Sequence, residues 1–364
     1  MTGLLDGMRV LDLSVWRPMP HATQILADLG AEVLKVEPPG GDPMRVYPEL
    51  FASVARDKRS VVIDLGEEAG RSRARELASQ ASVVCEGWRP GVADRLGLGY
   101  ETVAASNPSV VYCSLSGYGQ AGPLRDRPGH DVNYQALAGA LAPRHDPDRD
   151  PEVPRLPVAD LEGGTLCALL ICAAWARQLT SGLGERIDVA MTDVVAWWVG
   201  TSSGTAHTDA DVRTFGSPGY GVFRTLDGHW LALGVLSEQR LWEAICHALE
   251  LDELAPLPFA ERLVRTKEIN TAIASMLSRL DADAALARLD AFDAPVSPVL
   301  EPEEVPEHPH FRFRGFHVET DAGLVAALPA RFGFSARASG TRIPRIDEHR
   351  EGFSAPPSPT RPDR

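Results

Sequence analysis

The chain has 364 residues, 44% of them hydrophobic, and a formal net charge of −14. That length accommodates two domains with sizeable cores. The acidic balance speaks against a nucleic-acid binder or a protein held on an anionic membrane surface, and the most apolar stretch, Leu166 to Ala174, reads as a buried helix rather than a bilayer span, which needs roughly 20 such residues.

The first half alternates between strands and helices. Met8 to Leu13 reads as a strand, followed by an Ala/Leu-rich helix ending at Gly30. Val33 to Glu37 and Ser60 to Leu65 are the next strands, and Glu67 to Ser79 is a helix polar on one face. Ser82 to Glu86 and Ser109 to Ser114 complete five β-rich runs. Such runs separated by helices predict a parallel α/β sheet with helices on its faces. No Gly-x-Gly-x-x-Gly follows the first strand, so a nicotinamide dehydrogenase loses its main support.

The character changes after about residue 200. Thr201 to Thr205 reads as a linker. Gly221 to Thr225 and Trp230 to Gly234 form a hairpin about Asp227-Gly228. Helices are expected from Glu238 to Leu249 and from Lys267 to Leu289, the latter broken near Asp281. Ala294 to Leu300 is expected as an edge strand, because its prolines forbid a central one. The reading is a large α/β domain over 1–200, completed by about 325–353, a linker and small α+β domain over 201–324, and a disordered Pro/Ser-rich tail over 354–364.

The five cysteines, Cys85, Cys113, Cys167, Cys172 and Cys246, contain no CxxC pair. They read as reduced thiols rather than a zinc site or a disulfide framework. With no basic, cleavable leader at the start, the expected location is cytoplasmic.

Two groups stand out chemically. His130 lies in Gly129-His130-Asp131-Val132-Asn133-Tyr134, and Asp160 in Val158-Ala159-Asp160-Leu161-Glu162-Gly163-Gly164. Each just precedes an apolar run of helical character. The free N–H groups and dipole of a helix start can hold a developing oxyanion, and inverting a centre beside a carbonyl needs one acid/base group on each face. The plainer readings are a structural histidine and an N-cap aspartate. A basic cluster, Arg45, Arg56, Lys58 and Arg59 with Arg89 further on, is either a solvated face of ion pairs or a pocket for a phosphorylated ligand.

Several segments in order resemble the family III (CaiB/BaiF) CoA-transferases, the group that also contains the α-methylacyl-CoA racemases. They include Leu5 to Leu13, Leu26 to Val33, Gly40-Gly41-Asp42, Lys58-Arg59-Ser60, Trp88-Arg89-Pro90-Gly91, Ser116 to Gln120 with Gly122-Pro123, Gly184 to Asp188, Thr225 to Gly228 and Pro298-Val299-Leu300. The likeness runs from about residue 5 to 335. It implies a Rossmann-like large domain, a smaller α+β domain, and two chains interlocked as a homodimer. It also implies an acyl-CoA substrate, with no metal and no cofactor beyond the CoA of the substrate. Arg89 matches a CoA-contacting arginine of the family, and Lys58 and Arg59 fall in the segment that meets the nucleotide phosphates. Arg45 and Tyr118 are added to that CoA-binding set. Arginine forks match phosphate oxygens, which suits a dense anion.

The resemblance further implies that Asp160 is the aspartate used by both branches: an acyl-accepting nucleophile in transferases, an acid/base group in racemases. His130 follows the racemase pattern. Asp131 would orient His130 or its surroundings, and Glu162 would help keep Asp160 protonated, while Tyr118 and Tyr134 either line the acyl pocket or pack in the core. Glu238 stands one place after the position of a racemase glutamate. The expected activity is epimerisation of a 2-methylacyl-CoA by 1,1-proton transfer. The alternatives are a CoA-transferase working through an Asp160 anhydride, and a silent acyl-CoA-binding relative. Four departures bear on the pocket: Pro38 in place of an arginine, the bulky loop Val15 to His21, Ser237 before Glu238, and Glu162 where glycine is usual.

Overall fold

The computed structural model describes residues 3–142, 150–203, 217–335 and 340–354. The chain divides into two compact units, residues 1–202 with 309–364, and residues 203–308. The return to the first unit therefore comes at Pro309, earlier than the expected 325. The reason is a hairpin, His317–Thr320 with Gly323–Ala326, which packs on the helix Pro48–Ala55 of the first unit.

The first unit is built on six parallel strands: β1 (Arg9–Asp12), β2 (Glu32–Glu37), β3 (Arg59–Val62), β4 (Val83–Glu86), β5 (Val111–Ser116) and β6 (Glu185–Ala190). Their order is β3-β2-β1-β4-β5-β6. The chain thus winds outward from β1 in one direction and then, from β4, in the other. This reversal leaves a crevice at the carboxyl ends of β1 and β4, where open α/β sheets bind ligands. β6 was not expected as a strand. It is an edge strand, and its Arg186 and Asp188 point to the exposed side, which masks its β-character.

Helices α1 (Pro18–Asp28), α2 (Pro48–Ala55) and α3 (Glu68–Gln80) follow the first three strands, the first two opened by a proline whose fixed φ suits a first turn. Short helices α4 (Val92–Arg95) and α5 (Tyr100–Ser106) precede β5, and α6 (Asp131–Leu137), α7 (Val158–Ser181) and α8 (Met191–Ser203) complete the unit's larger helices. The expected linker residues Thr201 to Ser203 are the last turn of α8, while 204 and 205 lie outside the described residues.

At 24 residues, α7 far exceeds the stretch read from the sequence, and by length and composition it is one helix able to cross a bilayer. Here its inner face, with Cys167, Ala168, Ile171 and Ala174, joins the core beneath β5 and β6. It ends at Gly182, whose φ of 70° is the left-handed cap that glycine tolerates. Gly164 lets α7 lie directly on α1, since a Cβ there would sit 2.5 Å from the Pro18 carbonyl oxygen. All five cysteines are free thiols, four of them buried and Cys172 half-buried.

The second unit is a three-stranded antiparallel sheet, β7 (Tyr220–Arg224), β8 (Trp230–Gly234) and β9 (Val296–Pro298), with β9 at an edge as its proline requires. Gly228, at φ 88°, makes the turn of the hairpin. Helices α9 (Gln239–Ala248), α10 (Phe259–Val264), α11 (Thr266–Leu277) and α12 (Ala282–Asp290) pack around buried Trp242. The expected helix break falls at Asp281, the N-cap of α12. In the first unit the chain then forms α13 (Pro309–Arg314) and the hairpin β10 (His317–Thr320) and β11 (Gly323–Ala326).

Ser354, expected to begin a disordered tail, is held at the amino ends of β1 and β2. Its carbonyl accepts from Arg9 at 2.7 Å, and its N–H donates to Glu32. The rest of the tail, 355–364, lies outside the described residues.

Candidate active site

At the switch point the first unit opens into a pocket of about 600 Å³. The loop after β1 supplies Val15 and Trp16, and the start of α1 supplies Pro18 and Met19. The loop after β4 supplies Gly87 to Pro90, the end of β5 supplies Leu115 to Tyr118, and the approach to α6 supplies Arg125, Arg127 and Pro128 to His130. Asn133, Tyr134 and Met191 close it. The bulky first loop expected from the sequence is indeed a wall. Trp16 holds φ 63°, a left-handed conformation that is a genuine outlier for a large side chain, and is stationed half-exposed at the mouth.

Tyr118 and Tyr134 meet edge to face, with ring centroids 5.2 Å apart. The Tyr134 hydroxyl donates to the Gly129 carbonyl at 2.6 Å. Gly117 and Gly129 are required beside them, because a Cβ on either would fall 2.6–2.8 Å from the Tyr134 ring. Burial, then nearby Tyr118 and Asp160, pushes the Tyr134 phenol up to about 12, while Arg89 pulls the other way. Tyr118 is fixed by its neighbours: the Gly119 N–H donates to Ser116 Oγ at 3.0 Å, and the Gln120 N–H to Asp188 at 3.0 Å.

His130 is the N-cap of α6 and faces the pocket as an exposed residue. Its N–H donates to the Asn133 side chain at 3.0 Å. Asp160 is in the first turn of α7, beside the pocket rather than among its walls. The two are joined by Asp131. One oxygen of its carboxylate accepts the N–H groups of Ala159 at 2.7 Å and Asp160 at 3.2 Å, so Asp131 caps α7 from α6. The other oxygen accepts from Gln135. Of the two expected roles for Asp131, orienting His130 or its surroundings, these contacts correspond to the second: Asp131 positions Asp160.

Burial, and next the Asp131 charge, raise the Asp160 carboxyl to about 6, with Arg17 and His130 opposing. Glu162, expected to supply that repulsion, does not. Residues two apart on a helix do not share a face, and Glu162 is itself raised only by partial burial.

The basic cluster is divided. Only Arg89 and Tyr118 of the expected CoA-binding set line the pocket. Lys58 is fully buried, donating to Thr23 at 2.6 Å and the Pro20 carbonyl at 2.9 Å, with Asp12 at 3.3 Å. Burial lowers its ammonium to about 8 despite the Asp12 charge. Burial would raise Asp12, but Lys58, Lys35 and the hydroxyls of Ser14 and Thr23 outweigh it and hold Asp12 at about 2. A second buried pair, Lys35 with Asp42 at 2.7 Å, lies alongside, and Lys35 also donates to the Ser14 carbonyl at 2.8 Å. These pairs brace the loop that carries Val15 and Trp16.

Arg45 makes a fork to Glu37, 2.6 Å to each oxygen, and lies over the Phe51 ring. Arg59 holds the Gly352 carbonyl at 2.9 Å and Glu351, fastening the C-terminal segment to the sheet edge. Both arginines are taken up by packing contacts, which the sequence could not distinguish from phosphate contacts. Glu238 lies in the second unit at the start of α9, its carboxylate accepting the Leu236 N–H at 2.9 Å. Among the described residues no group of three or more His, Cys, Asp or Glu side chains is arranged to hold a metal.

Three arginines were missed. Arg125 and Arg127 join Arg89 in the pocket wall, and the Arg17 charge pulls the Asp160 carboxyl down. Their signal was present: Arg125-Asp126-Arg127-Pro128 bridges the Gly122-Pro123 turn and the Gly129-His130 pair.

Fold and site together define a doubly wound α/β protein with a cationic switch-point pocket, flanked by a histidine and a carboxyl whose pKa is raised to about 6. The chain belongs to the CoA-transferase family III, whose family model matches residues 5–350. It is 33% identical to the human α-methylacyl-CoA racemase over 95% of this chain and 91% of that one. It is 31% identical to the acetyl-CoA:oxalate CoA-transferase of Acetobacter aceti over 97% of each. Among solved structures, a CaiB/BaiF family protein from Brucella suis matches with a TM-score of 0.84 at 28% identity, over 96% of this chain and 98% of that one. The relatives thus span both isomerases and CoA-transferases.

Proposed function

We propose that the protein epimerises an α-substituted acyl-CoA thioester, such as a 2-methylacyl-CoA, by 1,1-proton transfer. The observation that carries the reading is the pair itself: Asp160, with its carboxyl raised to about 6, within electrostatic reach of His130 at the pocket wall. The thioester carbonyl acidifies the α-carbon. Neutral His130 removes the α-proton, leaving an enolate, and the Asp160 carboxyl delivers its proton to the opposite face. The enzyme is left with an imidazolium and a carboxylate, which are the forms that run the reverse epimerisation. Proton exchange with solvent resets them. Asp131 already accepts the N–H groups of Ala159 and Asp160, so the enolate oxygen is left to backbone N–H groups at the head of α6. The aromatic floor of Tyr118 and Tyr134 gives the acyl chain an apolar bed, and Arg89, Arg125 and Arg127 attract the CoA phosphates.

A second reading, CoA transfer between carboxylic acids through an Asp160 acyl anhydride, is favoured by the likeness to the oxalate enzyme across nearly the whole of both chains. One experiment separates the two. The protein is incubated with (R)- and (S)-2-methylacyl-CoA in D₂O, and deuterium at the α-carbon is followed together with the epimer ratio. Exchange with epimerisation, lost in His130→Ala and in Asp160→Ala, is expected. Absence of exchange, with hydroxylamine-sensitive acyl trapped on Asp160, replaces the first reading with the second.

The protein is further read as a homodimer. Helices α7 and α8 leave Leu169, Leu179, Trp197 and Trp198 exposed, so these residues are available to a second copy. Light scattering at twice the chain mass is the expected result, and a monomer at micromolar concentration contradicts it.

A further inference from the structure

The reactive pocket is lined by two tyrosines, and their hydroxyls are used differently. Tyr134 is buried, and its hydroxyl is spent on the Gly129 carbonyl at 2.6 Å. Tyr118 is half-buried, and its hydroxyl has no hydrogen-bond partner among the described residues. Nor is that oxygen among the buried polar atoms left unsatisfied, so it is open to solvent on a residue that lines the pocket. A phenol can donate one hydrogen bond, and this one is still to be made.

The place of that hydroxyl is closely set. The Tyr118 ring stands edge to face with Tyr134, at 83° between the planes. The backbone on either side is pinned. The Gly117 carbonyl accepts from the Thr192 N–H at 3.1 Å and from its hydroxyl at 2.7 Å, and the Gly119 N–H donates to Ser116. The Tyr118 oxygen lies against Gly129, where a Cβ would fall 2.9 Å from it. Gly129 does not have a positive φ, so it is the space taken by the two tyrosines that calls for glycine there. Gly129 immediately precedes His130, the N-cap of α6. The phenol therefore stands at the turn from which His130 and the first N–H groups of α6 emerge.

Negative charge develops on the thioester oxygen as the α-proton leaves. Donors already in place at that oxygen stabilise the transition state more than the bound substrate. The fold makes no use of the Tyr118 hydroxyl, and phenylalanine would give the same ring contact with Tyr134.

We propose that Tyr118 is a catalytic residue whose O–H donates a hydrogen bond to the enolate oxygen, alongside the N–H groups at the head of α6. This rests on the epimerisation reading above. The phenol keeps its proton throughout: the α-proton passes to His130, and the returning proton comes from Asp160. Tyr118 thus lowers the barrier in both directions without being a third acid.

Tyr118→Phe keeps the ring and removes no hydrogen bond of the fold. Parent and variant are compared on (R)- and (S)-2-methylacyl-CoA in D₂O, by α-deuterium uptake and epimer ratio, with melting temperatures alongside. Loss of one oxyanion donor ordinarily costs about 10²–10³ in kcat. The expected result is a fall of roughly a hundredfold in kcat, with KM within about threefold of the parent and an unchanged melting temperature. A fall in kcat of less than about tenfold overturns the proposal. So does an effect carried by KM alone, which places the hydroxyl on the bound thioester rather than on the enolate. A parent protein that takes up no deuterium removes the epimerisation reading, and the proposal with it. An active parent with an equally active variant overturns the proposal alone.

Discussion

The carboxylate of Asp131 accepts the backbone N–H of Asp160 at 3.2 Å and that of Ala159 at 2.7 Å. This contact spans the two helices that carry the candidate acid/base pair, since Asp131 immediately follows His130. It fixes the start of α7 and also sets a negative charge beside the Asp160 carboxyl. One side chain therefore both positions Asp160 and makes it reluctant to ionise.

Replacing Asp131 by Asn keeps an oxygen for the cap and removes the charge. A like charge raises a carboxyl pKa, so its loss lowers that of Asp160. In the direction in which Asp160 donates, kcat/KM is expected to fall above about pH 6 in the parent protein. In Asp131→Asn this descending limb moves to lower pH. Glu162→Gln leaves it in place, and a limb that follows Glu162 instead contradicts the assignment.

Asp160 also carries a stability consequence. Its folded pKa, about 6, lies above the ordinary 3.8. Between these values the folded state binds more protons than the unfolded, so stability falls as pH rises through that window and stays lowered above it. Asp160→Asn is expected to stabilise the protein by about 2–3 kcal/mol at pH 8 and not at all below pH 3.5. Urea unfolding at the two pH values measures this, and equal effects at both would refute it.

Lys58→Met is expected to cost about 3–5 kcal/mol of stability, because it strips the buried Asp12 carboxylate of its nearest cation. Were Lys58 instead a phosphate contact, the variant would keep its melting temperature and lose CoA affinity.

Arg125→Ala and Arg127→Ala are each expected to raise KM for the thioester roughly five- to thirtyfold with little change in melting temperature. Both residues are exposed in the pocket wall. The salt dependence of KM should weaken in both, and a KM unaffected by salt in the parent protein would remove them from phosphate binding.

Much of the fold was legible because burial on both faces forces apolar β-branched runs, as at Val10-Leu11 and Val83-Val84. Edge strand β6 escaped because solvent on one side lets Arg186 and Asp188 interrupt that pattern. Helix α10 escaped because six residues after Pro258 are too few to show a period. Among candidate site residues, His130 and Asp160 were found by type and position at helix starts. Arg125, Arg127 and Arg17 were passed over because surface arginines are common and spacing alone does not say what they face.

By itself the sequence determined the doubly wound α/β class, the family, and the segments holding His130 and Asp160, since these depend on local pattern and ordered motifs. Only the tertiary structure decided what each charge does. Lys58, Arg45 and Arg59 are consumed by Asp12, Glu37 and Glu351, whereas Arg89, Arg125 and Arg127 are left at the pocket. Asp131, one residue from His130 in the chain, acts on Asp160 instead. Electrostatic partnership falls off with distance in space rather than along the chain, and it is strengthened wherever folding removes water. A list of charged residues therefore becomes a site only once the sheet's winding order has brought the strand ends together.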